Sequence, residues 1–240
     1  MSLTAKPLAS PHLRGHLLLF DARPVAALAA GTGARLLLAA ALLEAARLAA
    51  VKWLQPVLPL WVWLPLLLVG ALLSIRFVAG LGWPAIGLQR WSAWTATEKS
   101  YFLQVLVLAN VVFPVVLAGP LRDRLAQSTP IGVFAAVFLP YLAYGFYQEV
   151  VYRGMVQREL ERRWGAVAGV LAANALYTFG PLHWYYFSSR AALAGPMLAA
   201  IFVMGLFFGV LFKRSGNLWI PAVFHALGNA YLVTSLGSLR

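Results

Sequence analysis

Residues 191–212 read AALAGPMLAAIFVMGLFFGVLF, a run of 22 residues without a charged side chain. A helix of roughly 20 mostly apolar residues crosses the hydrocarbon core of a bilayer, so this run predicts a transmembrane helix. Further apolar stretches lie on both sides of it, at 24–51, 56–81, 102–119, 131–155, 166–187 and 218–237. The sequence therefore predicts an all-α polytopic transmembrane helix bundle of seven helices, with eight as the alternative count.

The composition is that of a chain surrounded by lipid. Hydrophobic residues make up 62% of the 240 positions and charged residues 11%, far from the usual balance of a soluble domain. The formal net charge of +12 does not indicate a nucleic-acid partner, because the basic residues lie in short segments between apolar runs. The absence of cysteine excludes thiol catalysis, thiolate metal sites and disulfides.

The distribution of basic residues predicts the topology. With seven spans and a cytoplasmic N-terminus, the inner segments hold ten Lys and Arg residues and the outer segments five, as the positive-inside rule requires. Residues 1–23 are predicted as a cytoplasmic or interfacial N-terminal segment, because their apolar run is too short for a signal peptide. Residues 24–240 are predicted as a single transmembrane domain. We expect a multi-pass protein of the inner (cytoplasmic) membrane, in contact with membrane lipids.

Two pairs of residues inside the spans are interpreted as structural. Glu44 and Arg47 are three residues apart on one helical face, where they can neutralise each other. Gly205 and Gly209 form a Gly-x-x-x-Gly pair, which allows a neighbouring helix to approach closely.

Three polar clusters occur in the C-terminal spans. An ionisable group at the centre of a membrane helix costs roughly 2.5–3.5 kcal/mol, so each cluster is a functional candidate. The clusters are Gln148-Glu149-Val150-Val151-Tyr152-Arg153-Gly154, Phe179-Gly180-Pro181-Leu182-His183 and His225-Ala226-Leu227-Gly228-Asn229. Each has an ordinary explanation when taken alone: Glu149 and Arg153 can form a structural salt bridge, and His183 can belong to an interfacial aromatic belt. His225 can simply be hydrogen-bonded inside the bundle.

Helix geometry predicts that these clusters converge. The fourth and fifth spans should form a hairpin with its turn near Gly165, which places Gln148 and His183 at similar depth because the rise per residue is equal. His225 and Asn229 project from one face of the last span. Such a site suits the attack of water on a carbonyl, since one group accepts a proton and the donors stabilise the oxyanion.

The pattern resembles the type II CaaX prenyl protease and bacteriocin-processing (CPBP) family of intramembrane glutamic proteases. The motifs of that family are Glu-Glu-x-x-x-Arg, Phe-x-x-x-His and His-x-x-x-Asn or Asp. All three occur here in order on separate hydrophobic helices, within a catalytic-type core at about 131–237. Gln148 occupies the place of the first glutamate, and Glu149 and Arg153 follow at the family's spacing.

The resemblance implies a role for each polar position. A glutamate at position 148 would activate water together with His183, while His225 and Asn229 would hold the oxyanion. Glu149 and Arg153 would be structural or would orient the site. The implied reaction is the cleavage of a peptide bond near the membrane, in a C-terminal tail or a precursor peptide.

Gln148 changes this expectation, because a neutral amide cannot accept a proton. The chain as written is therefore expected to be an inactive or impaired form. Three explanations stay open. Gln148 is an isosteric substitution that traps an inactive enzyme, or it is natural in a non-catalytic relative, or Glu149 turns inward and acts as the base.

Two alternatives are retained. The first is a non-catalytic membrane scaffold or immunity-type protein that only binds a peptide. The second is a zinc-dependent protease, although His-Glu-x-x-His is absent, and the preferred interpretation needs no metal or cofactor.

The substrate is expected to be a membrane-associated peptide or protein. The resemblance allows the C-terminal tripeptides of prenylated proteins, peptide precursors and hydrophobic sorting tails. Richness in Ala, Leu and Arg favours a high-GC bacterium, and hence precursor or sorting-tail processing.

Overall fold

The computed structural model describes residues 28, 31–183 and 191–236, with side chains of the last range described from residue 194. The predicted N-terminal segment 1–23 lies outside the described residues. The aromatic run 184–187 and most of the beginning of the first predicted span also lie outside them.

The described residues form eight helices and no strand, which confirms the all-α prediction. The helices are α1 (Thr32–Ala49), α2 (Leu60–Phe77), α3 (Ala96–Val116), α4 (Ala118–Ala126), α5 (Pro130–Trp164), α6 (Ala166–Phe179), α7 (Ala191–Ser215) and α8 (Trp219–Leu236). Two stretches within α5 are π-helical, Phe134–Phe138 and Val150–Gln157. The second follows directly on Glu149, and π-helical turns occur frequently at functional sites.

Four helices are long and apolar enough to cross a membrane: α2, α3, α5 and the Ala194–Ser215 part of α7. Helix α6 is apolar but shorter. Helices α1 and α8 occupy the places of the first and last predicted spans, and both have 18 residues. The chain is therefore a multi-pass membrane protein.

Helices α3 and α6 have ends that differ from the predicted span boundaries, because local sequence signals decide where each helix begins or stops. Helix α3 begins at Ala96 instead of residue 102, because Thr95 and Glu98 form a capping box with bonds of 2.6 and 3.1 Å. Helix α6 ends at Phe179 instead of residue 187. Gly180 and Pro181 come directly after Phe179, and proline does not continue a helix. The predicted hairpin turn is correct, since α5 ends at Trp164.

Helix α5 occupies the centre of the bundle and contacts α1, α2, α6 and α8. Both structural pairs that the sequence predicted are present. Glu44 accepts two bonds from Arg47, at 2.9 and 3.0 Å, and a third from the hydroxyl of Tyr147 on α5 at 3.1 Å. The pair therefore fixes α1 to the central helix as well as neutralising itself.

The Gly205 and Gly209 pair lets α7 pack against α5 and α6. A methyl group at Gly205 would collide with the Asn174 side chain of α6. The backbone carbonyls of both glycines accept side-chain bonds from α5: Arg153 binds the Gly205 carbonyl at 2.7 Å, and Gln157 binds the Gly209 carbonyl at 2.9 Å. Small residues on α7 thus allow its backbone to meet polar groups of the central helix.

Gly145 sets the distance between α5 and α8. A Cβ atom at this position would lie 2.6 Å from the Cα atom of Ala226 and 3.2 Å from the amide nitrogen of Asn229. Because the nearest obstacle is backbone, no side-chain rotation relieves the overlap.

We therefore expect Gly145→Ala to lower the free energy of unfolding by about 1–3 kcal/mol, the usual cost of overpacking a well-packed contact. The measurement is the thermal transition in detergent. Gly195→Ala is the matched control, because a Cβ atom there meets nothing within 4 Å. Equal transitions for the two variants would show that α5 and α8 are not held at this distance.

Candidate active site

The four side chains expected to converge do line one cavity, with a volume of about 490 Å³. Gln148 comes from α5, His225 and Asn229 come from α8, and His183 comes from the turn after α6. The rest of the wall is mainly aromatic and aliphatic, with Met197 and Phe208 of α7 among its residues. The site is therefore a small polar cluster on an apolar cavity.

Gln148 faces the cavity and is held by Asn229. The side-chain amide of Asn229 donates to the carbonyl oxygen of Gln148 at 2.8 Å. Gln148 is 4% exposed, so the bond is largely shielded from solvent. An amide carbonyl accepts hydrogen bonds but not protons at ordinary pH. The contact with Asn229 therefore orients the Gln148 side chain but does not make it a base.

Glu149 points away from Gln148 and is completely buried. One carboxylate oxygen lies 2.8 Å from Nδ1 of His225, and the other lies 3.5 Å from Nε of Arg153. The predicted ion pair between Glu149 and Arg153 is present. The structure adds His225 as a third member, because α8 crosses α5 at this point.

Arg153 is also completely buried. Its guanidinium donates to the Gly205 carbonyl at 2.7 Å and lies 4.7 Å from the ring centre of Tyr177. A cation over an aromatic face is attracted by the negative charge of that face. Arg153 thus joins α5, α6 and α7 directly behind the cavity.

His183 reaches the cavity from a turn, not from the helix that the sequence predicted. Because α6 ends at Phe179, the chain turns back and Nδ1 of His183 lies 2.8 Å from the backbone carbonyl of Tyr177. A carbonyl only accepts, so Nδ1 carries the proton of the neutral ring and Nε2 carries the lone pair.

Residues 130–231 match the family model described as type II CAAX prenyl endopeptidase Rce1-like. This C-terminal region is therefore similar to that family. No curated protein and no solved structure matches the chain. The matched residues include all six predicted site residues, which are Gln148, Glu149, Arg153, His183, His225 and Asn229.

Tyr177 belongs to the site but was not predicted from the sequence. The hydroxyl of Tyr177 lies 3.2 Å from Nε2 of His225, and its ring meets the ring of His183 edge-on at 4.9 Å between centres. Tyr177 therefore touches both histidines and Arg153. The signal available in the sequence was a tyrosine in an apolar helix, whose hydroxyl needs a hydrogen-bond partner when buried.

The polar groups of the Rce1-like site bind one another. Within the described ranges, no group of three His, Asp or Glu side chains is arranged to hold a metal ion. Nδ1 of His225 is bound by Glu149, and Nδ1 of His183 is bound by a backbone carbonyl.

Proposed function

We propose that this Rce1-like chain hydrolyses a peptide bond at the membrane, with the reacting carbonyl between position 148, His183, His225 and Asn229. The proposal is supported by the similarity of residues 130–231 to the type II CAAX prenyl endopeptidase family model. The observation that carries the proposal is the meeting of these four side chains from separate parts of the chain on one cavity wall. An isolated polar group at such a position is costly, so four together favour a common task.

The proposed roles follow the hydrogen-bond chemistry of each group. Position 148 holds the attacking water together with Nε2 of His183, and a glutamate there accepts its proton. Asn229 donates through its amide to the developing oxyanion, and His225 does so when protonated. With Gln148 the first of these groups is not a base, so the chain as written is an impaired or inactive form.

The proposed mechanism uses no metal. It is supported by the position of the Glu149 carboxylate, whose oxygens are directed to Nδ1 of His225 and Nε of Arg153 and do not line the cavity. A zinc-dependent reaction is the alternative.

Chelators such as EDTA are therefore expected to leave the cleavage rate of an active Gln148→Glu variant unchanged. The rate is measured before and after dialysis against the chelator in detergent. A loss of activity that added zinc restores would favour the zinc-dependent alternative.

The proposed substrate is an apolar or lipid-modified segment of a membrane-associated protein, in a precursor peptide or a C-terminal sorting tail. The cavity walls support this choice, because apolar and aromatic side chains such as Met204, Phe208 and Phe224 surround the polar cluster. We further propose an inner-membrane location with the N-terminus in the cytoplasm, on the strength of the basic residues in the inner segments.

The test compares the termini of membrane proteins in cells that lack the chain, cells that express it and cells that express its Gln148→Glu variant. The proposal predicts shortened termini that become more abundant with Gln148→Glu and disappear when His183→Ala is added to it. Identical termini in all of these cells would contradict hydrolysis. In that case the apolar cavity would favour the alternative function, a non-catalytic scaffold or immunity-type protein that only binds a peptide.

A further inference from the structure

The site contains a second candidate proton acceptor, one that does not involve position 148. His225 lies between Glu149 and Tyr177 in a continuous chain of hydrogen bonds. Nδ1 of its ring is 2.8 Å from the Glu149 carboxylate, and Nε2 is 3.2 Å from the Tyr177 hydroxyl. A base oriented by a carboxylate on one side and facing a reactive group on the other is the arrangement that activates nucleophiles in many hydrolases.

The partners of His225 decide which nitrogen carries the proton. An ionised carboxylate only accepts hydrogen bonds, so Nδ1 of the neutral ring must donate to Glu149. Nε2 then carries the lone pair and accepts from the Tyr177 hydroxyl. The neutral ring consequently offers an acceptor at Nε2, and it cannot donate an N–H from that atom to an oxyanion.

The ring is also fixed in direction. It stacks on Phe208 with ring centres 5.0 Å apart and an angle of 15° between the planes. It is 7% exposed and lines the cavity. Arg153 lies on the far oxygen of Glu149, so the carboxylate is held from both sides. Little reorganisation is needed for His225 to receive a proton.

We propose that in the chain as written His225, held by Glu149, is the proton acceptor, and that the amide of Gln148 serves as a hydrogen-bond donor. This inference rests on the proposed function, because it concerns the same hydrolytic site. Gln148 suits the second role because its carbonyl oxygen is occupied by Asn229, while its amide group carries two N–H donors. With glutamine instead of glutamate at position 148, the base therefore lies on α8 and not on α5.

The proposed step is balanced within the site. The attacking water first takes the place of the Tyr177 hydroxyl as the donor to Nε2 of His225. Its oxygen then bonds to the peptide carbonyl carbon as one O–H bond breaks, and the proton goes to Nε2. The imidazolium formed is stabilised by the Glu149 carboxylate. It then returns the proton to the amide nitrogen as the C–N bond breaks, so the products are a carboxyl group and an amine.

The first test measures the proton position directly. Nitrogen NMR of histidine-labelled full-length protein in micelles distinguishes the two ring tautomers, and the His225 signals are those lost in His225→Ala. We expect a proton on Nδ1 in the unchanged chain, and an altered Nε2 signal in Tyr177→Phe with the Nδ1 proton retained. A proton on Nε2 of neutral His225 would overturn the proposal.

The second test measures cleavage of a fluorogenic apolar peptide by the unchanged chain in proteoliposomes. Slow cleavage is expected, and it should fall by about 100-fold or more in His225→Ala, since general-base assistance contributes about 100- to 10,000-fold. Asn110→Ala is the control, because Asn110 is an exposed membrane-helix amide that bonds Tyr231.

The possible outcomes of this cleavage assay separate the proposed hydrolysis from the proposed role of His225 as the base. Cleavage by Gln148→Glu with none by the unchanged chain would overturn this inference and leave the proposed function standing. Cleavage by neither form would contradict both. If the unchanged chain cleaves the peptide and His225→Ala cleaves it equally well, another residue is the base. That result would overturn this inference alone.

Discussion

Replacing Gln148 by glutamate is expected to raise the cleavage rate; the increase is about 100- to 10,000-fold, the usual contribution of a general base, where no other group of the unchanged chain acts as the base. The two side chains have nearly the same shape, and the bond from Asn229 to the oxygen at position 148 fits either of them. Of these two side chains at position 148, only the carboxylate can take a proton from water. The increase should appear in kcat, because substrate contacts with the apolar wall are unchanged.

The measurement is the initial rate of peptide cleavage by purified variants in proteoliposomes as a function of pH. The rate of Gln148→Glu should rise with pH as the carboxylate ionises, and His183→Ala or Asn229→Ala added to it should suppress the rate. Gln148→Met is the matched control, since it preserves length without a charge and should give no increase. A Gln148→Glu variant no faster than this control would refute position 148 as the base.

Removing the guanidinium of Arg153 is expected to have the largest effect on stability. Arg153→Ala leaves the completely buried carboxylate of Glu149 without its cation, and breaking a buried pair in this way costs about 3–5 kcal/mol. The variant also loses the bond to the Gly205 carbonyl and the contact with the Tyr177 ring. The measurements are folded yield and the thermal transition in detergent.

Two variants separate this effect from a general loss of arginine. Arg163→Ala removes a half-exposed partner of Glu159, whose carboxylate keeps Arg162, so little change is expected. Glu149→Gln combined with Arg153→Met removes both buried charges and should recover part of the loss. An unchanged transition in Arg153→Ala would contradict a structural role for the pair.

The sequence predicts the parts of the site that depend on helical spacing. Positions 149 and 153 are one helical turn apart and form the expected pair, and a turn at Gly165 brings α6 back along α5. The membrane location follows from apolar length alone. These features are local or depend on a single helical hairpin, so they can be predicted from the sequence.

The remaining features depend on how helices pack, which spacing does not specify. The spacing of the sequence pairs Glu149 with Arg153, but the crossing of α8 also brings His225 to its carboxylate. Tyr177 gains its role from the same convergence. His183 lies on a turn because Gly180 and Pro181 stop the helix early, and this was visible in the sequence but outweighed by the apolar run around it.

The close approach at Gly145 has a consequence for the evolution of this chain. The atoms that a side chain at 145 would meet are the Cα and backbone nitrogen of Ala226, at 2.6 and 3.0 Å. No replacement at position 226 can move its own backbone out of the way, so a second mutation there cannot compensate for a larger residue at 145. We expect glycine at 145 in relatives whose position 148 still bonds the last helix, including those that carry glutamate there. Relatives with a larger residue at 145 should have lost the amide at 229 as well.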